Sequence, residues 1–224
     1  MKQADLVESV WRLGRRPDPW SWPDWSFAGA DGTFGNRFDD PLGVYRVLYG
    51  SAQRLATFVE CLAVFRPDPE VLAECDRIEG DTQDGGEPPG AGVVPVEWVE
   101  QRCVGTGHPE GAFVELGQHE TLADLRSALA ARVVHHKIGD LDAAAIRLSV
   151  PRAFTQEISR YLFEQTVAGR RHWNGIVYQS KYGDDLKNCA FFEPSAPTGQ
   201  TSTLLDVDDP DLHVALRVHS LRLG

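Results

Sequence analysis

Six side chains are of types that together could hold a phosphorylated sugar and break its glycosidic bond: Arg12, Arg37, Tyr49, Glu60, Ser180 and Lys181. A guanidinium grips phosphate oxygens two at a time, which suits Arg37 and Arg12 to a pyrophosphate. A carboxylate stabilises the positive charge that grows on a ribosyl carbon as its leaving group departs, and it accepts from ribose hydroxyls, which suits Glu60. A tyrosine ring such as Tyr49 offers a flat face to a heteroaromatic ring, and a serine hydroxyl such as Ser180 both donates and accepts. Lys181 adds a cation beside Ser180.

Each of these residues also has an ordinary role open to it. Arg37 stands beside Asp39 and Asp40 and could make surface ion pairs with them. Arg12 has Arg15 and Arg16 as rivals for phosphate, Tyr49 closes an apolar run and could be core, and Ser180 could simply form a turn. Glu60 is the most telling, because Phe58, Val59, Cys61 and Leu62 surround it. A carboxylate among apolar neighbours needs a partner, and Arg37 is the expected one.

The elements that must carry these groups follow from periodicity. Residues 1–36 read as irregular, with Trp20, Trp22, Trp25 and Phe27 crowded among prolines and glycines and expected to tuck onto the domain as an ordered loop. Val44–Tyr49 reads as a buried strand. Ser51–Phe65 reads as a helix capped by Ser51, with Leu55, Phe58, Val59, Leu62 and Phe65 at helical spacing. A short helix is expected over Pro69–Ile78 and a polar loop over Glu79–Gly92. Strands are expected at Val94–Val104, Ala112–Leu116, Asn174–Ser180, Asn188–Phe192 and Leu212–Leu221, and helices at Thr121–Val133 and Arg152–Ala168. With no repeat and no interdomain linker, this order predicts one α+β domain spanning residues 1–224.

Composition narrows the functional classes. The net charge of −11 disfavours nonspecific contact with nucleic-acid phosphates, although it leaves room for a local basic pocket. No apolar stretch reaches the roughly 20 residues of a membrane span, and the N-terminus has no apolar leader, so a cytoplasmic location is expected. The four cysteines form no Cys-x-x-Cys pair and are expected to be reduced and mostly buried. His135-His136 suggests a metal, but neighbouring residues on a regular element point apart, and no metal site is expected. His172 and Ser180 lack the Gly-x-Ser-x-Gly setting of a serine hydrolase, and no dinucleotide-binding glycine fingerprint occurs.

Taken in order, Trp11-Arg12, Asn36-Arg37-Phe38 with Pro41, Leu48-Tyr49, the helix bearing Glu60, and Gly175-Ile176-Val177-Tyr178-Gln179-Ser180 resemble the RES-domain family, named for its Arg, Glu and Ser. Thr155-Gln156 and Asn188-Cys189-Ala190-Phe191-Phe192 extend the likeness, which covers about residues 11 to 193. Asn36, Gly50-Ser51 and Gln179 depart from the family pattern. The resemblance implies an ADP-ribosyltransferase-like fold with a mixed, curved sheet. It implies an NAD⁺-degrading enzyme in which NAD⁺ is a consumed substrate rather than a cofactor and inorganic phosphate is the co-substrate. It also implies the role of a toxin blocked by a cognate antitoxin protein. Glu60, Arg37 and Tyr49 would then be catalytic, and Arg12, Ser180 and Lys181 would bind substrate. Water or a protein as acceptor, a non-catalytic nucleotide-binding module, and self-association all remain open at this stage.

Overall fold

The computed structural model describes residues 1–5, 8–67, 92–147 and 151–224. Within these, seven strands form one mixed sheet in the order β10-β4-β1-β2-β9-β8-β5. They are β1 (Val10–Arg15), β2 (Val47–Ser51), β4 (Arg102–His108), β5 (Phe113–Glu115), β8 (Gly175–Ser180), β9 (Gly183–Phe192) and β10 (Thr198–Leu204). Only β5 against β8 runs parallel; the other neighbours are antiparallel. Short pairs β3 (Val93–Val94) with β11 (Arg222–Leu223) and β6 (Thr166–Val167) with β7 (Arg170–Arg171) stand apart from it. The described helices are α1 (Arg54–Leu62), α2 (Val96–Glu100), α3 (His119–Ala128), α4 (Ala130–His135), α5 (Ala143–Arg147), α6 (Arg152–Phe163) and α7 (Pro210–Val218). The class is α+β, as the element order predicts.

Alternation along the central strands builds two cores on opposite faces of the sheet. Val47, Ile176, Tyr178, Ala190 and Phe192 face the helices α3 and α6, where Leu125, Phe154, Ile158 and Leu162 complete the packing. Leu48, Val177, Cys189 and Phe191 face the other way, onto Trp20 and Val10. A third cluster joins Leu13 and Val104 to α1 and α7 through Phe58, Leu62, Leu212 and Leu216. Arg54 fastens α1 to α7 by ion pairs with Asp209 and Asp211. The feature that shapes the site is the seam between β1 and β2, which register at the single pair Trp11↔Ser51. Beyond it the strands stop pairing, and α1 lies across β1 and β2.

Several sequence expectations are corrected. Residues 94–104 are not one strand: Pro95, with φ −63°, opens helix α2 after the short β3, and the strand resumes only at Arg102. Residues 212–221 are not a strand either. The Asp209 carboxylate accepts from the backbone of Asp211 and Leu212, Pro210 occupies the first turn, and Leu212, Ala215 and Leu216 are buried at helical spacing. The predicted helix Thr121–Val133 breaks at Leu129 into α3 and α4. The helix after Pro151 stops at Phe163 rather than Ala168. Ser51 is the last residue of β2, not a cap; Gln53 precedes α1 and makes no capping bond with its side chain.

The N-terminal region holds a full strand, β1, where an irregular segment is expected. Gly14 breaks its apolar pattern, and it is needed there: a Cβ would stand 2.6 Å from the Cα of Pro19. Of the crowded aromatics, Trp20 is buried, whereas Trp25 and Phe27 are exposed. Strand β10 escapes the sequence reading because all seven of its residues are exposed, so no periodicity marks it. Cys103 and Cys189 are buried and Cys61 partly so, all as free thiols. The expected helix Pro69–Ile78, the loop from Glu79 as far as residue 91, and Cys75 lie outside the described residues.

Candidate active site

A cavity of about 510 Å³ opens along the β1–β2 seam beneath α1. Arg12, Arg37, Tyr49, Glu60 and Lys181 all line it, so five of the six residues chosen from sequence meet in one place. The sixth, Ser180, reaches the cavity through Glu60, donating to Glu60 Oε1 at 2.5 Å. The volume lies within the range of small-molecule sites, roughly 300–1,000 Å³.

The positive side of the cavity comes from three arginines held in an unusual way. Arg12 crosses the seam, donating from Nε to the Pro19 carbonyl at 2.6 Å and from Nη1 to the Tyr49 carbonyl. Arg37 donates to the Arg147 carbonyl at 3.2 Å and lies 5.6 Å from the centroid of the Tyr178 ring. Arg152, at the start of α6, also lines the cavity and donates to the Gly35 carbonyl. Carbonyls orient a guanidinium without cancelling its charge. No ion pair among the described residues involves Arg12, Arg37 or Arg152. Burial pulls the pKa of Arg12 down, but an arginine has so much margin that it stays charged. A chain of net charge −11 thus carries a concave surface lined by three guanidinium groups that make no ion pair among the described residues.

The surface ion pairs open to Arg37 do not form. Asp39 accepts from the Tyr49 hydroxyl at 2.8 Å and from the Asn36 backbone at 2.7 Å, and Asp40 pairs with Arg160 at 3.2 Å. Burial raises the Asp39 carboxyl above its ordinary value, opposed by its bonds to Asn36 and Tyr49. Burial likewise raises the Tyr49 phenol, helped by the nearby Asp39 charge. The Tyr49 hydroxyl is therefore a fixed, neutral donor, while its ring borders the cavity.

The expected Arg37–Glu60 pair is also absent. The partners of Glu60 are Ser180 Oγ and Asn188 Nδ2, the latter at 2.7 Å, both on Oε1. Arg37 and Glu60 line the same cavity from different sides, with the Tyr178 ring near both: the Glu60 charge pushes the Tyr178 phenol up and Arg37 pulls it down, on top of a larger upward push from burial. Arg15 and Arg16, the rival phosphate ligands, do not line the cavity, and Arg16 binds the Glu100 carbonyl just past the end of β1. His172 packs on Trp173 at 4.0 Å and also lies off the cavity. His136 faces Glu157 at 3.2 Å, and among the described residues no group of three or more His, Cys, Asp or Glu converges to hold a metal. No described helix is long and apolar enough to cross a membrane.

Sequence reasoning missed Arg152, Asn188, Ser51 and Tyr178 as site residues. The signal for Arg152 was its place just after Pro151, at the first turn of a helix. Gln156, one turn on, donates to the Phe34 and Asn36 carbonyls and so holds the segment that presents Arg37. Asn188 and Ser51 had no local signal, since only the register of β2 against β9 brings them together.

No family model matches this chain, and no curated protein does. Among solved structures, a chain of the MbcT–MbcA toxin–antitoxin complex of M. tuberculosis aligns over 97% of this chain and 92% of its own length, at 12% identity and a TM-score of 0.42. At that level the two chains share a general layout at most, and the chemistry of the cavity stands on its own geometry.

Proposed function

We propose that this protein cleaves the nicotinamide–ribose bond of NAD⁺ by phosphorolysis, releasing nicotinamide and ADP-ribose-1″-phosphate. The observation that carries this reading is that Arg37 and Glu60, 23 residues apart in sequence, line one cavity of dinucleotide scale. The three arginines suit the pyrophosphate, with Arg37 and Arg152 on the segment 35–37 and α6 and Arg12 across the seam. The Tyr49 ring suits stacking on nicotinamide. Glu60 suits the ribosyl cation, because its one free oxygen can meet the positive charge as the bond breaks. Lys181, at the same cavity, suits the attacking phosphate. Phosphate attacks the ribosyl carbon, the C–N bond breaks with its electrons on nicotinamide, and no redox partner is required.

Phosphate as acceptor, the ADP-ribosyltransferase-like ancestry and a toxin role under the control of an antitoxin protein follow from the RES-domain resemblance. Incubation with NAD⁺, with and without inorganic phosphate, tests the reading, with nicotinamide and the sugar product read by mass. Phosphate-dependent ADP-ribose-1″-phosphate is the expected product. Free ADP-ribose would make it a glycohydrolase, and ADP-ribose on a polypeptide a protein ADP-ribosyltransferase. Stable NAD⁺ binding with no nicotinamide release would make the cavity a binding module and overturn the enzymatic reading. In cells, expression is expected to lower NAD⁺ and growth, and Glu60→Ala to abolish both effects.

A further inference from the structure

A glutamate on a helix has three side-chain torsions and holds no single direction unless its oxygens are tied. Among the described residues that line the cavity, Glu60 is the one acid. Its Oε1 receives Ser180 Oγ from β8 at 2.5 Å and Asn188 Nδ2 from β9 at 2.7 Å. Both donors are themselves oriented. Ser180 Oγ accepts from the Tyr182 backbone at 3.0 Å, which directs its own proton toward Glu60. Ser51 Oγ, at the end of β2, donates to Asn188 Oδ1 at 2.7 Å. With the amide reversed, Asn188 would set an oxygen against the carboxylate, so the chemistry of its two neighbours admits one orientation. Ser51 is 2% exposed, and Ser180 and Asn188 are 1% exposed, so the donors are almost wholly withdrawn from bulk water. No described residue donates to Glu60 Oε2. The carboxylate is thus made unsymmetric, with one oxygen anchored to the sheet and one left for a ligand.

We infer that Asn188 and Ser51 are positioning residues for Glu60, forming a buried relay that runs from β2 through β9 to the carboxylate, which Ser180 on β8 meets as a second donor. This rests on the NAD⁺-cleaving reading above and deepens it: the relay sets the direction in which Glu60 meets the ribosyl carbon. The Ser51 hydroxyl is the outermost link, and an alanine in its place leaves Asn188 Oδ1 without its donor.

Two variants of the full chain test the relay. Ser51→Ala is expected to lower kcat for nicotinamide release about 10-fold and to change KM for NAD⁺ much less, because the arginines that suit the pyrophosphate are untouched and the main effect is on the carboxylate's aim. Asn188→Asp places a second carboxyl at hydrogen-bond distance from Glu60. Two such groups cannot both ionise cheaply and titrate as a pair. Its activity is expected to fall about 100-fold at neutral pH and to recover partly as pH is lowered and the introduced group regains a proton to donate. Carbon-13 titration of the Glu60 carboxyl is expected to show that coupling whether or not the protein turns over NAD⁺. An unchanged Glu60 titration in Asn188→Asp, or a Ser51→Ala variant with wild-type kcat, would overturn the relay. Coupled titration in Asn188→Asp, together with a wild-type protein that releases no nicotinamide, would keep the relay and sink the NAD⁺ reading instead.

Discussion

The Tyr49 hydroxyl donates to Asp39 Oδ1 at 2.8 Å, and the same oxygen accepts from the Phe38 backbone N–H at 3.0 Å. One phenol thus pins the turn that follows Arg37 to the strand that floors the cavity, and it leaves the ring face for a ligand. Tyr49→Phe keeps that face and removes both bonds. Asp39 would retain Asn36 as its hydrogen-bond donor, at a cost of about 1–3 kcal/mol for the lost partner. The sign with pH follows from the raised Asp39 carboxyl. Such a group favours folding at low pH: its penalty is absent below the unfolded value of 3.8 and fully present above the higher folded value. The destabilisation of Tyr49→Phe, read by thermal unfolding, is therefore expected to be larger at pH 7 than at pH 4, with KM for NAD⁺ little changed.

Arg12 and Arg37 are expected to fail differently. Arg12 is half-buried and satisfies two backbone carbonyls across the β1–β2 seam. Its removal leaves both without a donor, so Arg12→Ala is expected to lose about 1–3 kcal/mol of stability along with activity. Arg37 is half-buried and holds one carbonyl. Arg37→Ala is expected to melt within a few degrees of the parent and to raise KM for NAD⁺ about 10- to 100-fold, as does the loss of a charged hydrogen bond to phosphate. Equal melting temperatures for the two variants would argue against the structural role of Arg12.

Glu60→Gln keeps the side chain's shape and one oxygen for the Ser180 and Asn188 donors, but removes the charge. Nicotinamide release is expected to fall at least about 100-fold, because the stabilisation is needed only when the sugar becomes cationic. NAD⁺ binding by calorimetry should stay within a few-fold of wild type. Wild-type turnover in this variant would exclude Glu60 from the chemistry.

Arg46 holds Glu193 through its guanidinium and backbone, and also donates to the Pro23 carbonyl beside Trp22 and Trp25. The hydrogen bond from Arg46 keeps the Glu193 carboxyl below its ordinary value of 4.5, against a smaller upward push from burial. A depressed carboxyl contributes stability above its unfolded pKa and loses that contribution as pH falls through the folded one. Melting temperatures of wild type and Glu193→Gln are therefore expected to differ at pH 7 and to approach one another as pH falls below 4.5 and through the lower folded value.

How much was legible depended on where the information lay. Strand β8, helix α6 and most of α1 carry their apolar residues at a regular spacing, so their types could be read locally. Strand β10 has no buried residue and β1 is broken by Gly14 and Arg12; each exists because a neighbouring strand supplies its hydrogen bonds. Residues 212–216 looked extended through their aliphatic content, although Asp209-Pro210 before them was the better signal for a helix start.

The sequence by itself determined which side chains were chemically able to act, because charge, hydroxyl and aromatic character belong to a residue wherever it sits. It could not determine who faces whom. Glu60 was expected to meet Arg37, yet the register of β2, β9 and β8 delivers Ser51, Asn188 and Ser180 to it, and the parting of β1 from β2 opens the space in between. Ser180 and Asn188 lie 120 and 128 residues away from Glu60 along the chain, and only strand pairing, a cooperative property of the whole sheet, brings them within hydrogen-bond reach.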